Sequence, residues 1–123
     1  MEHLEGFLKI VGDAKSRIQE TSVGETRKRL DTGRGFHFID VREDHEWAKG
    51  HAKGAIHLGK GIIERDIEKT IPDLRAEIVL YCGGGYRSAL AADALQKMGY
   101  RKVFSMAGGY KDWLKREYPV VQE

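Results

Sequence analysis

Ile78-Val79-Leu80-Tyr81-Cys82-Gly83-Gly84-Gly85-Tyr86-Arg87-Ser88-Ala89-Leu90-Ala91-Ala92-Asp93-Ala94-Leu95-Gln96-Lys97-Met98-Gly99 divides into three parts. Ile78 to Tyr81 is apolar and partly β-branched, which predicts a buried strand, and it ends at the only cysteine of the chain. Three glycines, Tyr86, Arg87 and Ser88 form a tight loop. Ala89 to Met98 is rich in Ala and Leu and predicts a helix, with Gly99 as its C-terminal stop. Strand, short loop and helix in succession point to a parallel α/β sheet.

A thiol between a strand and a helix start has a chemical consequence. The first helical N–H groups lack intrahelical partners, and the peptide dipoles place positive potential there. Such a position favours a thiolate, the nucleophilic form of cysteine. Gly83, Gly84 and Gly85 let the backbone bring several N–H groups around one point. Arg87 adds positive charge, and Ser88 is expected to cap the helix. Cys82 is therefore the candidate nucleophile, and Gly83 to Ser88 the candidate cradle for a thiolate or persulfide anion. A lone cysteine can also be a small buried hydrophobe; its place directly before Gly-Gly-Gly-Tyr-Arg-Ser favours the reactive reading.

Outward from this unit, Leu4, Phe7, Leu8, Val11 and Ala14 recur at helical spacing and predict an amphipathic helix over about residues 3 to 15. It is expected to lie on the outside of the domain, with its Phe and Leu stripe as core contact. Ile18 to Thr21 reads as a short edge strand. Ser22 caps a helix over Val23 to Leu30, with Glu25 completing a capping box. Phe36 to Val41 is a second buried strand, followed by Arg42 and Glu43. Ligands bind at the C-terminal edge of open parallel sheets, so Asp40 and Arg42 are candidate supporting residues, with a loop-holding ion pair the favoured role for Asp40. Glu43 to Lys49 predicts a short helix with Trp47, Ala55 to His57 a short strand, and Ile62 to Lys69 a helix before Pro72. Lys102 to Ser105 is a further strand, Ala107-Gly108-Gly109 a turn, and Tyr110 to Arg116 a last helix with Trp113.

A chain of 123 residues suits one core. The net charge of +2 is too small to argue for nucleic acid or an anionic membrane as partner. Basic runs such as Arg27-Lys28-Arg29 alternate with Glu25 and Asp31, as on solvated helix faces. One cysteine excludes an intrachain disulfide, and neither a signal peptide nor a membrane-spanning run is evident. A cytoplasmic, reducing setting is expected. His45, His51 and His57 lack the spacing and companions of a metal site, so no metal is expected and His51 reads as a structural hydrogen bonder. Trp47 and Trp113 read as core.

Three segments in register, Asp40 to Gly59, Cys82 to Ser88 and Phe104 to Trp113, resemble the rhodanese family of sulfurtransferases. The resemblance runs from about residue 17 to the C-terminus and leaves 1–16 as a helical extension of a domain over 17–123. It implies an open five-stranded parallel sheet with helices on both faces. It further implies that the Cys82 thiolate takes a sulfane sulfur from thiosulfate or a persulfide donor. The resulting persulfide would be passed to cyanide, a thiol or a sulfur-carrier protein, without a cofactor. Many relatives that use thiosulfate carry a basic residue after the cysteine; Gly83 stands there instead, leaving Arg87 to attract an anionic donor. A non-turnover delivery or regulatory module is an alternative. Phosphatases and arsenate reductases are a more distant one, since their loops place five residues between cysteine and arginine and this loop has four.

Overall fold

A computed structural model describes residues 3–33 and 35–122. Helix α1 (Glu5–Lys15) leads into β1 (Gln19–Thr21), α2 (Val23–Asp31), β2 (His37–Asp40), α3 (Asp44–Ala48) and the two-residue strands β3 (His51–Ala52) and β4 (Ile56–His57). Helix α4 (Ile63–Thr70), β5 (Glu77–Tyr81), α5 (Arg87–Lys97), β6 (Lys102–Met106), α6 (Gly109–Lys115) and β7 (Val120–Val121) complete the chain. Five strands form one sheet in the order β1-β6-β5-β2-β4, every neighbouring pair parallel. This is the expected architecture, with β5 in the middle. A second sheet, antiparallel β3 with β7, was not expected; its strands are too short to show a period of two.

Side-chain alternation along the strands divides the core. Ile78, Leu80 and Cys82 face the cluster that holds Ile39, Ile63, Ile67, Ala92 and Leu95, under α4 and α5. Val79 and Tyr81 face the opposite cluster, with Val23, Phe38 and the fully buried Trp113, under α2 and α6. The same alternation carries Cys82, one residue past the strand, to the α5 side.

Helix α1 packs along α5, where Val11 and Ala14 are buried. Just after it, Arg17 donates to both carboxylate oxygens of the nearly buried Asp93, at 3.0 and 2.7 Å, and accepts from Gln96 Nε2 through its carbonyl. Arg17 holds the Asp93 carboxyl below the usual range. The expectation of a core-facing Phe and Leu stripe fails at its N-terminal half, because Leu4 and Leu8 are exposed and Phe7 only half-buried.

Two caps differ from expectation. Ser22 Oγ accepts from Glu25 N at 3.0 Å, but no return bond from the Glu25 side chain is found among the described residues. Helix α5 begins two residues earlier than expected, at Arg87 instead of Ala89, so Tyr86 is its N-cap and Ser88 lies inside the helix. A complete capping box instead forms at α3, between Glu43 and Glu46.

Candidate active site

β5 delivers Cys82 to the C-terminal edge of the sheet, and α5 starts five residues later. The loop between them turns at Gly85, whose φ of +96° is in the left-handed region open to glycine. The turn directs Gly85 N to Cys82 Sγ at 3.2 Å and Ser88 N to the same sulfur at 3.3 Å. Ser88 Oγ stands 3.5 Å from Sγ and 2.8 Å from Ser105 Oγ. Ser88 therefore cannot be the cap: its hydroxyl is engaged by the sulfur and by Ser105. Ser105 was missed at the sequence level, although a serine between Phe104 and Met106 in a buried strand is a polar residue in need of a partner.

The carbonyls of the same loop point away from the sulfur. Tyr110 N donates to Cys82 O at 2.8 Å and Lys111 N to Gly83 O at 3.0 Å. The first turn of α6 thus holds the loop from behind, an arrangement that needs Gly109 at φ +54°. A Cβ there would stand 2.5 Å from Cys82 O and 2.7 Å from Gly83 O.

Cys82 is 1% exposed, yet it forms the floor of an open cavity of about 570 Å³. Gly84, Tyr86 and Arg87 from its own loop and Glu43, His45 and Glu46 from the start of α3 line one part of the cavity. His3, Leu4 and Phe7 from the start of α1 line the rest. The His3 ring lies 4.4 Å and the Phe7 ring 6.2 Å from that of Tyr86.

Arg87 is not a free cation. Its guanidinium donates to both oxygens of Glu46, at 2.6 and 3.1 Å, and Glu46 Oε1 also accepts from Glu43 N. Arg87 draws the Glu46 carboxyl from 4.5 down to about 2. The expected attraction of an anion by Arg87 is correspondingly weakened, because the Glu46 carboxylate offsets its charge. Gly83 allows this placement: a Cβ at residue 83 would lie 3.1 Å from Arg87 Nη2.

This pair gives a testable pH and charge dependence. A carboxyl held lower in the folded state than in the unfolded one stabilises fully above about 4.5, and that stabilisation is lost as pH falls through about 2. Wild type should therefore be more resistant to urea than Glu46→Gln at pH 6, with the gap narrowing at pH 3. The same substitution keeps an oxygen for Glu43 N and frees the charge of Arg87. It should tighten binding of a small inorganic anion such as sulfite at the loop by about threefold to tenfold, read by titration, an effect that fades with added salt.

Asp40 and Arg42 are brought together but do not line this cavity. Arg42 donates to both Asp40 oxygens and, at 2.7 Å, to Gly50 O, and its guanidinium lies over the Tyr110 ring. This is the loop-holding pair expected for Asp40. His51 stacks on Trp47 at 3.3 Å and its Nδ1 lies 3.2 Å from the Trp47 carbonyl, as expected of a structural histidine. Trp47 itself is half-buried rather than core. Among the described residues no group of three or more His, Cys, Asp or Glu is placed to hold a metal ion, and no helix is long and apolar enough to cross a membrane.

The sequence profile of the rhodanese-like domain matches residues 22–116. The chain belongs to the rhodanese-like domain family. Among curated proteins, YrkF of Bacillus subtilis, named provisionally as a sulfur carrier protein, is 32% identical over 118 residues, covering 91% of this chain and 62% of its own length. The chain thus spans less than two thirds of that relative. The thiosulfate sulfurtransferase GlpE of Haemophilus influenzae is 34% identical over 86 residues, 70% of this chain and 80% of its own. Among solved structures, a Rhodopseudomonas palustris protein of unknown function, described as a possible tyrosine phosphatase, superposes with a TM-score of 0.88 at 25% identity, covering 98% of both chains. In this rhodanese-like loop four residues separate Cys82 from Arg87, and that arginine is already bound by Glu46.

Proposed function

We propose that this rhodanese-like protein is a sulfurtransferase that works through a persulfide on Cys82. The observation that carries the reading is the pair of loop N–H groups, Gly85 and Ser88, aimed at a sulfur on the floor of an open cavity. The Cys82 thiolate attacks the outer sulfur of thiosulfate or a persulfide. The donor S–S bond breaks, and sulfite or a thiolate leaves with the electron pair. An acceptor such as cyanide, a thiol or a sulfur-carrier protein then attacks the terminal sulfur and restores Cys82. The converging amides hold the anionic charge of the persulfide between the two steps, as an oxyanion hole does for oxygen. Asp40 and Arg42 support the edge of the sheet beside α6, and a reducing compartment such as the cytoplasm keeps the lone thiol available. The reading takes residues 1–16 as an extension on a rhodanese-like domain over 17–123. Relatives named as a sulfur carrier and as a thiosulfate sulfurtransferase support it.

Intact mass measurement after incubation with thiosulfate tests this directly. One added sulfur, located on Cys82 and removed by cyanide, is the expected result; no adduct with thiosulfate or with a persulfide would sink it. Repeated turnover separates an enzyme from a delivery module, which loads once and waits for its partner.

A further inference from the structure

Helix α1 is a wall of the cavity over Cys82, and its chemistry differs from that of the loop. Its start contributes Leu4 and Phe7, and the Phe7 ring packs beside that of Tyr86, 6.2 Å between centroids, so that these side chains form an apolar lining. Leu4, 75% exposed, is the most exposed large apolar side chain among the described residues. The wall is fixed in place, because Val11 and Ala14 are buried and Arg17 is bound to Asp93 where α1 gives way to β1. At about 570 Å³ the cavity has the size of an organic-ligand site, and thiosulfate would fill only a small part of it. Its charges also disfavour a dianion: Arg87 is engaged by Glu46, and Glu43 adds a second carboxylate to the lining.

We propose that the preferred donor is a persulfide bearing an uncharged apolar organic group, held on the apolar lining of Leu4, Phe7 and Tyr86 while its outer sulfur meets Cys82. This rests on the sulfurtransferase reading and adds the substrate class and its specificity-determining residues. In the step itself the Cys82 thiolate forms a bond to the outer sulfur of R–S–SH. The donor S–S bond breaks, R–S⁻ leaves with the electron pair and takes a proton from water, and Cys82–S–SH remains. No oxidant or reductant is required. Burial of R against the apolar lining formed by Leu4, Phe7 and Tyr86 supplies binding energy that inorganic donors lack.

The full chain is assayed with benzyl hydropersulfide, with hydrogen disulfide (a persulfide without an organic group) and with thiosulfate. The wild type should prefer benzyl hydropersulfide to hydrogen disulfide by about tenfold or more in kcat/KM. Phe7→Ala should lower that ratio by about tenfold and Leu4→Ser by about threefold. Because Leu4 is largely exposed, Leu4→Ser keeps the test open should Phe7→Ala unfold. A wild-type ratio near one, or a ratio within about twofold of wild type in Leu4→Ser and in any folded Phe7→Ala, overturns the inference while leaving sulfur transfer intact. Failure of all three donors to place sulfur on Cys82 overturns the sulfurtransferase reading and this inference together.

Discussion

Cys82→Ser should reduce sulfur transfer by about four orders of magnitude or more, with no added sulfur on the protein after exposure to donor. The loss is that large because the proposed reaction would pass through a covalent bond to this atom, and a hydroxyl is neither nucleophilic enough nor able to carry sulfane sulfur reversibly. The fold should survive. A serine oxygen is smaller than sulfur but meets the same donors, Gly85 N and Ser88 N, with Ser88 Oγ beside it. Its burial is thereby compensated, and stability should change by only about 1 kcal/mol. Steady-state transfer, mass spectrometry and urea unfolding together check the result. Turnover within tenfold of wild type would place the nucleophile elsewhere.

Gly109→Ala should have the second largest effect, on both stability and catalysis. Its methyl would lie 2.5 Å from Cys82 O and 2.7 Å from Gly83 O, so the loop and α6 must separate. Separation weakens the bonds from Tyr110 N and Lys111 N that turn these carbonyls outward. Two weakened hydrogen bonds and a left-handed alanine together predict a loss of about 3 kcal/mol. The amides of Gly85 and Ser88 would lose their aim, and turnover per folded molecule should fall by about tenfold or more. Gly99→Ala provides the control. It also places an alanine at positive φ, +108°, but its Cβ meets only Leu74, 3.5 Å away. It should lower stability and leave turnover per folded molecule unchanged. Equal turnover in the two variants would show that α6 does not orient the loop.

The value of Gly109 was only half legible in the chain. The pair Gly108-Gly109 announces a turn, but nothing local says that the turn backs against the loop of Cys82, some 27 residues earlier by number. Ser88 illustrates the opposite error. Its type and place before an alanine-rich run suit an N-cap, and local reasoning has no access to the Ser105 hydroxyl that engages it from the neighbouring strand. The positive charge of Arg87 is legible in the chain but its pairing is not, for the same reason: Glu46, its partner, lies 41 residues away on α3.

The linear order of residues determined the parallel sheet, the position of Cys82 at its edge and the glycine-rich loop. Each of these follows from short-range periodicity, backbone freedom and the dipole of the next helix, all written within a few neighbouring residues. Packing in three dimensions decided which charges cancel, which amides face the sulfur, and that the start of α1 forms a wall of the cavity instead of merely covering the domain. Those outcomes depend on distances between segments remote along the chain, and these distances exist only once the two cores have closed around the sheet.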